Sequence, residues 1–383
     1  MRGLGADTGG VFNQMLSNFV KKMFPPKDVI GVDIGNYAVK IICFCEEKKV
    51  MKLRDWGYIP LSIKPDTPPE EKKAIISGEI KTYLKKKNIQ SRNAVASISG
   101  NAVIVRYVKL PRLSKKELAL TISVEAEPFI PFDIKDVNLT YSILNESSEE
   151  GDPKIDTVLV AAKREAVQDK IDIISGAGLD PLIIDVDSFA LETLYGRAAP
   201  KGENSSVLML NIGQKVTNLS IVSQGVTRVV RDIFIAGATF DKAISKVLKT
   251  DVAASDAVKK TRSVLVSDED KEAAIESFDR DGIAVSKAAA GVLKDLYTEV
   301  SRSIDFYLSQ GVDHSVSRIM LSGGMANLGN INKFLSAEFK VPVEIVNPLA
   351  FLPEIPKNIP RDVLPALAVA AGLALRKMKD WEE

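Results

Sequence analysis

The chain has 383 residues, too many for one hydrophobic core, so we expect two or more domains. Its charges nearly cancel, with 51 basic and 50 acidic residues, and no long block of one sign favours nucleic acid as a partner. No apolar stretch is long enough to cross a bilayer, and two cysteines with one histidine cannot assemble a zinc site. We expect a reduced, cytosolic protein.

The first 27 residues form a segment of their own. Apolar residues recur there at helical spacing and predict an amphipathic helix that ends before Pro25: Val11, Phe12, Met15, Leu16, Phe19, Val20 and Met23. We expect this helix to pack on its own domain or on a partner. Binding to a membrane surface is the alternative.

A strand, a glycine turn and two more strands come next, at residues 29–34, 38–44 and 50–58. Gly35, Asn36 and Tyr37 form the turn, where glycine lets backbone N–H groups approach an anion closely. Asp33 ends the buried first strand and must be paired or hold a hydrated cation, because burying a carboxylate alone is costly. Lys40 points back toward the turn. A plain glycine hairpin is the alternative.

A segment of different character covers residues 103–182. Two rounds of strand, helix and strand predict a small inserted α+β subdomain. Ser114 and Glu117 have the spacing of a capping box and begin its first helix. Its first strand, at residues 103–108, is the candidate edge for adding a peptide strand.

The opening pattern returns in the second half, with strands at residues 207–213, 217–223 and 226–235 around a turn at Gly213. Such an internal repeat implies two related domains that face each other across a cleft. Late in the chain, an apolar strand runs into Gly323, Gly324 and Met325, with a helix predicted from Leu328. The three glycine turns together predict the walls of one nucleotide cleft. For the last turn alone, the strand-to-helix turn of any α/β fold is the alternative.

These turns resemble the phosphate and adenosine motifs of the actin, Hsp70 and sugar-kinase superfamily. The resemblance implies an α/β ATPase fold of the actin/Hsp70-like type, a duplicated ribonuclease H-like fold, that binds ATP and Mg²⁺. In it, Asp33 holds Mg²⁺ through water and Lys40 meets a phosphate. The implied nucleotide contacts are Gly35, Asn36, Tyr37, Lys40, Gly213, Thr217, Gly237, Ala238, Asp256, Lys259, Gly323, Gly324 and Met325.

The second turn departs from the superfamily pattern. Asn211 and Gln214 stand where actin has acids, and amides supply neither negative charge for Mg²⁺ nor a base. The hydrolytic position of the superfamily falls on Asp187, which serves equally well as the N-cap of a helix from Ser188. We therefore predict nucleotide binding with weak or no hydrolysis.

The insert makes the resemblance more specific, because its place in the chain is similar to that of the relocated insert in the cell-division protein FtsA. Residues 110–114, 124–132 and 177–179 resemble the PilM family, the actin-like cytoplasmic proteins of type IV pilus assembly, and the resemblance covers about residues 28–378. It implies that the chain binds the N-terminal cytoplasmic tail of the inner-membrane protein PilN in a groove between the first large subdomain and the insert. It also implies a cytoplasmic location, peripheral to the inner membrane.

The predicted division has five parts, and the closing helix at residues 361–378 packs back on subdomain 1A. The five parts are an N-terminal extension (1–27), subdomain 1A (28–102 with 183–205), the insert 1C (103–182), subdomain 2A (206–239 with 313–360) and a helical subdomain 2B (240–312).

Two other functions stay open on sequence grounds. A small-molecule kinase or a true ATPase of the same superfamily is one, although no sugar-binding acid is evident. A self-assembling filament protein like FtsA or MreB is the other, although the chain ends in Trp381, Glu382 and Glu383, too acidic for the membrane helix that ends FtsA. The sequence does not decide whether the chain forms homo-oligomers.

Overall fold

A computed structural model describes residues 29–64, 66–149, 152–198, 205–311 and 313–376. The helix predicted within residues 1–27 lies outside the described residues. The strands are β1 (Ile30–Ile34), β2 (Ala38–Glu47), β3 (Val50–Pro60), β4 (Asn93–Ile98), β5 (Val103–Pro111), β6 (Val137–Glu149), β7 (Asp152–Lys163), β8 (Asp180–Val186), β9 (Ser206–Ile212), β10 (Thr217–Ser223), β11 (Val226–Ile233), β12 (Val316–Ser322) and β13 (Val343–Ile345).

The α-helices lie between these strands and after the last of them. They are α1 (Pro69–Lys86), α2 (Lys115–Ala126), α3 (Arg164–Gly176), α4 (Asp187–Ala198), α5 (Gly237–Leu248), α6 (Val252–Thr261), α7 (Asp268–Glu276), α8 (Arg280–Ser309), α9 (Ile331–Phe339) and α10 (Ala368–Ala374). None of the described helices combines the length and the apolar character that a membrane span requires.

Two five-stranded sheets have the same design. Their strand orders are β3-β2-β1-β4-β8 and β11-β10-β9-β12-β13. In each sheet three consecutive strands, β1–β3 or β9–β11, form an antiparallel meander. The other two strands join the meander in parallel. The repeated order confirms the predicted duplication of a ribonuclease H-like unit. We call the part built on the first sheet the first lobe and the part built on the second sheet the second lobe.

The insert leaves the first lobe between β4 and β8, as predicted. Its three strands have the order β5-β7-β6, and α2 packs on them over a small core that includes Leu118 and Leu159. The predicted capping box is present, since Ser114 and Glu117 each bond the other's backbone N–H. The division into subdomains stays a prediction, and α3, which it places in the insert, packs Ile173 and Ile174 into the core of the first sheet.

One apolar cluster joins the two lobes. Helices α4 and α10 contribute Ala190, Leu191, Ala370 and Leu373, and both sheets add side chains to the same cluster: Ile42 and Val95 from the first, Val207 and Met209 from the second. Helix α10 lies so close to α4 that a Cβ on Gly372 would collide with the carbonyl oxygen of Ala190. The lobes are therefore joined by the apolar cluster that both sheets build around these two closely packed helices.

Two predicted helices differ from the structure. The closing helix was expected over residues 361–378, but the chain forms a 3₁₀ turn at Leu364–Leu367 and then the short helix α10, with residues 377–383 outside the described parts. The helix expected from Leu328 begins at Ile331, because a 3₁₀ turn at Gly324–Asn327 and a left-handed Asn330 come first.

Replacing Gly372 with alanine tests the packing of α10 on α4, at the centre of the apolar cluster that joins the lobes. We expect the free energy of unfolding to fall by about 1–3 kcal/mol, the usual cost of adding a methyl group to a packed core. Urea denaturation measures it. The control is Gly78→Ala, in the exposed part of α1, where a Cβ meets no atom within 4 Å. That change should stabilise the protein by about 0.5–1 kcal/mol. Equal effects at the two positions would contradict the packing.

Candidate nucleotide site and an apolar groove

The first glycine turn carries an ion pair. Asp33 on β1 and Lys40 on β2 are direct cross-strand partners, and their Oδ2 and Nζ atoms lie 2.9 Å apart. The side chains of Asp33 and Lys40 are 14% and 15% exposed. Gly35 leaves room for this pair, since a Cβ there would lie 2.7 Å from the Lys40 ammonium and 3.0 Å from the Ala38 carbonyl oxygen. The structure thus brings together the acid and the lysine predicted for Mg²⁺ and phosphate.

Asp187 lies next to this pair. It is the first residue of α4, which starts one residue before the predicted Ser188, and its hydrolytic role stays a prediction. Its Oδ1 accepts a hydrogen bond of 2.5 Å from the Ser97 hydroxyl. Burial, and then the nearby Asp33 carboxylate, raise the pKa of Asp187 to about 6. A carboxyl with such a pKa can hold or release a proton near neutral pH.

A lysine that the sequence did not reveal faces the same acids. Lys170 on α3 donates from Nζ to the Ile34 carbonyl oxygen at 3.0 Å. Burial lowers the pKa of Lys170, while the Asp187 and Asp33 carboxylates act in the opposite direction. Its position depends on how α3 packs against the first sheet. No local motif in the sequence carries that information.

The second glycine turn is held by backbone bonds. The Gly213 N–H donates to Val216, and the N–H groups of Gly237 and Ala238 donate to the Gly213 and Gln214 carbonyls at 2.9 and 2.7 Å. The Thr217 hydroxyl is fully buried and donates to the Ile235 carbonyl. These groups lie together as predicted, but their hydrogen bonds are made within the protein. Their roles as phosphate ligands stay predictions.

Asn211 belongs to a polar ladder that crosses the second sheet. Ser322 Oγ donates to Asn211 Oδ1 at 3.2 Å, and Asn211 Nδ2 donates to Asn218 Oδ1 at 2.8 Å. Asn218 in turn donates to Asp232, whose other oxygen accepts the N–H of Gly100 in the first lobe. An amide has a donor and an acceptor, so it can join both neighbours, which a carboxylate cannot. Asn211 therefore serves the architecture of the sheet.

The third turn passes close to the second one. Gly323 has a φ of 88°, and a Cβ there would collide with the carbonyl oxygen of Ile212. Gly324 faces open space on its Cβ side, with no atom within 4 Å. The Met325 side chain is buried in the core of the second lobe. Of the three residues predicted to face adenosine, Gly324 is the one with free room beside it.

One of the two predicted ribose residues, Asp256, contacts the first lobe. On α6, Asp256 accepts a hydrogen bond of 2.9 Å from the Tyr37 hydroxyl. Asp256 also pairs with Lys259 at 3.1 Å, and Lys259 reaches the buried Asp241 at 2.5 Å. Burial works against ionisation, but the hydrogen bond from Lys260 and the Lys259 charge hold the pKa of Asp256 below its usual range. Asp256 is therefore ionised at neutral pH.

The donor set fits a nucleotide with a hydrated Mg²⁺. The turn after β1 is surrounded by two carboxylates and two lysines: Asp33, Asp187, Lys40 and Lys170. Within the described residues, no three metal-ligating side chains come together. A magnesium ion held here would take its remaining ligands from water and phosphate oxygens, as Mg²⁺ commonly does in nucleotide sites.

A separate apolar groove lies between the first sheet and the insert. It encloses about 330 Å³ and is lined by residues 181–186 of β8, Val167 and Ile171 of α3, Asn138 and Thr140 of β6, Val160 and Ala162 of β7, and Ile98. Among the described strands, β8 and β6 each have a hydrogen-bonded neighbour on one side only. The groove thus has two open strand edges as walls.

The strand expected to accept a peptide, β5, also lies at an edge of the insert sheet. However, Val103 and Val105 are buried in a cluster that includes Val230 of β11. The groove is at the opposite edge, beside β6. This position makes β6 and β8 the better candidates for strand addition.

One protein family, described as the type IV pilus assembly protein PilM, matches residues 31–378 of the sequence. The chain belongs to the PilM family. Among solved structures, it is similar to one titled "PilM-PilN type IV pilus biogenesis complex", with a TM-score of 0.75 and 29% identity. That match covers 92% of this chain and 99% of the other. The family confirms the interpretation drawn from residues 110–114, 124–132 and 177–179.

A more distant structure shares the fold. The ethanolamine utilization protein EutJ from Carboxydothermus hydrogenoformans matches with a TM-score of 0.51 at 12% identity. The match covers 92% of this chain and 90% of EutJ. Together with the PilM match and the two repeated sheets, it confirms the actin-like α/β ATPase fold.

The raised pKa of Asp187 makes a prediction about pH. An acid whose pKa is higher in the folded state stabilises that state at low pH and loses this effect as the pH rises to about 6. Between pH 5 and 8, the wild-type protein should therefore lose about 1 kcal/mol of unfolding free energy relative to Asp187→Asn. Asparagine keeps the acceptor for Ser97. Urea denaturation at both pH values measures the difference, and parallel pH dependences would contradict the assignment.

Proposed function

We propose that this chain is an ATP-binding, actin-like scaffold of the type IV pilus inner-membrane assembly complex. It binds the N-terminal cytoplasmic tail of PilN in the groove between the first sheet and the insert, and it hydrolyses ATP weakly or not at all. In this role it is cytoplasmic and peripheral to the inner membrane. The observation that carries the proposal is the groove, in a chain of the PilM family that resembles a protein solved in complex with PilN.

The groove suits a short extended peptide. The free edges of β8 and β6 offer backbone donors and acceptors for strand addition, which supplies affinity. Val167, Ile171 and Val160 offer apolar contact for alternate side chains of the peptide, which supplies specificity.

The nucleotide is proposed to lie between the glycine turns. Asp33 would hold Mg²⁺ through water and Lys40 would contact a phosphate, since both side chains stand at the turn after β1. Gly324 offers room for the adenosine part. Bound Mg-ATP would supply the divalent charge and the phosphates that these residues neutralise and orient.

Weak turnover follows from the hydrogen bonds that the amides of the second turn already make within the protein. Asn211 is held in the polar ladder, and Gln214 donates to the buried Asp241 at 2.9 Å. Neither amide can take a proton from a water molecule. Asp187, whose pKa is raised to about 6, is then left as the base beside Asp33, without the acids that actin carries in the second turn.

A charged residue placed in the groove should abolish tail binding. Ile171→Glu puts a carboxylate among apolar side chains, so we expect affinity for a synthetic PilN tail peptide to fall at least about tenfold. Fluorescence anisotropy with a labelled peptide measures it, and a thermal melt checks folding.

Ile275→Glu is the matched control, because Ile275 on α7 is 63% exposed and lies in the second lobe. It should bind the peptide as the wild type does. Equal binding by Ile171→Glu would contradict the groove as the site, and no binding by the wild type would contradict PilN as the partner.

Removing the phosphate lysine should weaken nucleotide binding. We expect Lys40→Met to lower Mg-ATP affinity about tenfold, the scale of one hydrogen bond between charged groups. Isothermal titration calorimetry measures it. Lys52→Met is the control, since Lys52 makes a similar ion pair with Glu47, at 2.7 Å, on the exposed part of β2 and β3. The same loss in both variants, or none in Lys40→Met, would contradict the assignment.

A further inference from the structure

Three side chains connect the two lobes beside the proposed nucleotide site. Tyr37, in the first glycine turn, donates its hydroxyl proton to Asp256 Oδ2 at 2.9 Å. Lys260 donates from Nζ to the same tyrosine hydroxyl at 2.5 Å and to Asp256 Oδ2 at 2.7 Å. Its ammonium also lies 4.9 Å from the centre of the Tyr37 ring. Each group is bonded to both of the others, and the tyrosine belongs to the first lobe.

The second-lobe side of this contact is firmly anchored. Asp256 pairs with Lys259, and Lys259 pairs with Asp241, whose side chain is 1% exposed. Asp241 then accepts a hydrogen bond from Gln214 in the second glycine turn. A continuous polar chain therefore runs from the first turn, through α6 and α5, to the second turn. Tyr37 cannot move away from Asp256 without breaking its end of that chain.

A nucleotide that enters or leaves the proposed site has to separate Tyr37 from Asp256 or pass beside them. Tyr37 and Asp256 come from opposite lobes, and both were predicted to face the nucleotide. Their oxygen atoms are at hydrogen-bond distance, so no ligand atom fits between them. The apolar cluster around α4 and α10 joins the lobes independently of this contact. Separation at Tyr37 can thus occur while the lobes stay attached.

We propose that Tyr37, Asp256 and Lys260 form a latch between the lobes, and that opening of this latch sets the rate at which nucleotide enters and leaves. The inference rests on the proposed nucleotide binding and adds the control of its exchange. Lys260 becomes a positioning residue, because it holds Tyr37 and Asp256 together and was not predicted to contact nucleotide.

Stopped-flow kinetics with a fluorescent ATP analogue, mant-ATP, in the presence of Mg²⁺ tests the latch. We expect Lys260→Met and Tyr37→Phe to speed association and dissociation together by about tenfold, the effect of losing one hydrogen bond to a charged group. For Lys260→Met, whose lysine was not predicted to contact nucleotide, both rates change together and the dissociation constant should stay within about threefold of the wild type.

The control is Lys271→Met. Lys271 is 53% exposed, close to the 55% of Lys260, and it pairs with Asp268 at 2.9 Å within the second lobe. Its removal should leave both rates unchanged. A second readout needs no nucleotide: small-angle scattering of the free protein should give a larger radius of gyration for Lys260→Met and Tyr37→Phe than for the wild type and Lys271→Met.

Wild-type rates in both latch variants would overturn the latch and leave nucleotide binding intact. Faster dissociation with unchanged association would also overturn it, because that pattern means that these residues hold the nucleotide directly. If the wild type binds no mant-ATP, the proposed function fails instead. In that case the scattering comparison alone tests the latch, and equal radii of gyration in all four proteins would contradict it.

Discussion

The close packing of α4 against α10 is the constraint on which the rest of the structure depends. Gly372 lets α10 lie against the backbone of α4, and Gly31 lets it approach β1 in the same way. Both sheets add apolar side chains to this one cluster. The lobes are therefore fixed on an apolar side, and their three glycine turns are left to meet on a polar side. A site between two domains needs such a support to hold its groups in register.

On the polar side, two series of side chains are hydrogen-bonded within the protein. The ladder from Ser322 through Asn211 to Asp232 ends on a backbone N–H of the first lobe, and the pairs around Asp241 end on the second turn. These bonds use the amides that replace acids in hydrolytic relatives. Asn211 and Gln214 thus donate hydrogen bonds inside the protein and supply no base, which agrees with the proposed scaffold that holds nucleotide and presents a groove.

Much of this arrangement could be predicted from the sequence, because it depends on local patterns. The repeated meander gave the two sheets, and the register of a short hairpin placed Asp33 opposite Lys40. Contacts that depend on how distant helices are oriented could not be predicted. Lys170 reaches Ile34 through the packing of α3, and Lys260 reaches Tyr37 across the lobes. The end of the chain was misjudged since apolar composition does not distinguish a 3₁₀ turn from a long helix.

The central property of the proposed scaffold is that its cleft keeps ATP intact. The direct measurement is to incubate wild-type protein with labelled Mg-ATP, isolate the complex and analyse the bound nucleotide. A scaffold whose second turn carries Asn211 and Gln214 should retain about one nucleotide per chain, recovered as ATP. Recovery of ADP with many turnovers per chain, or of no nucleotide at all, would contradict it.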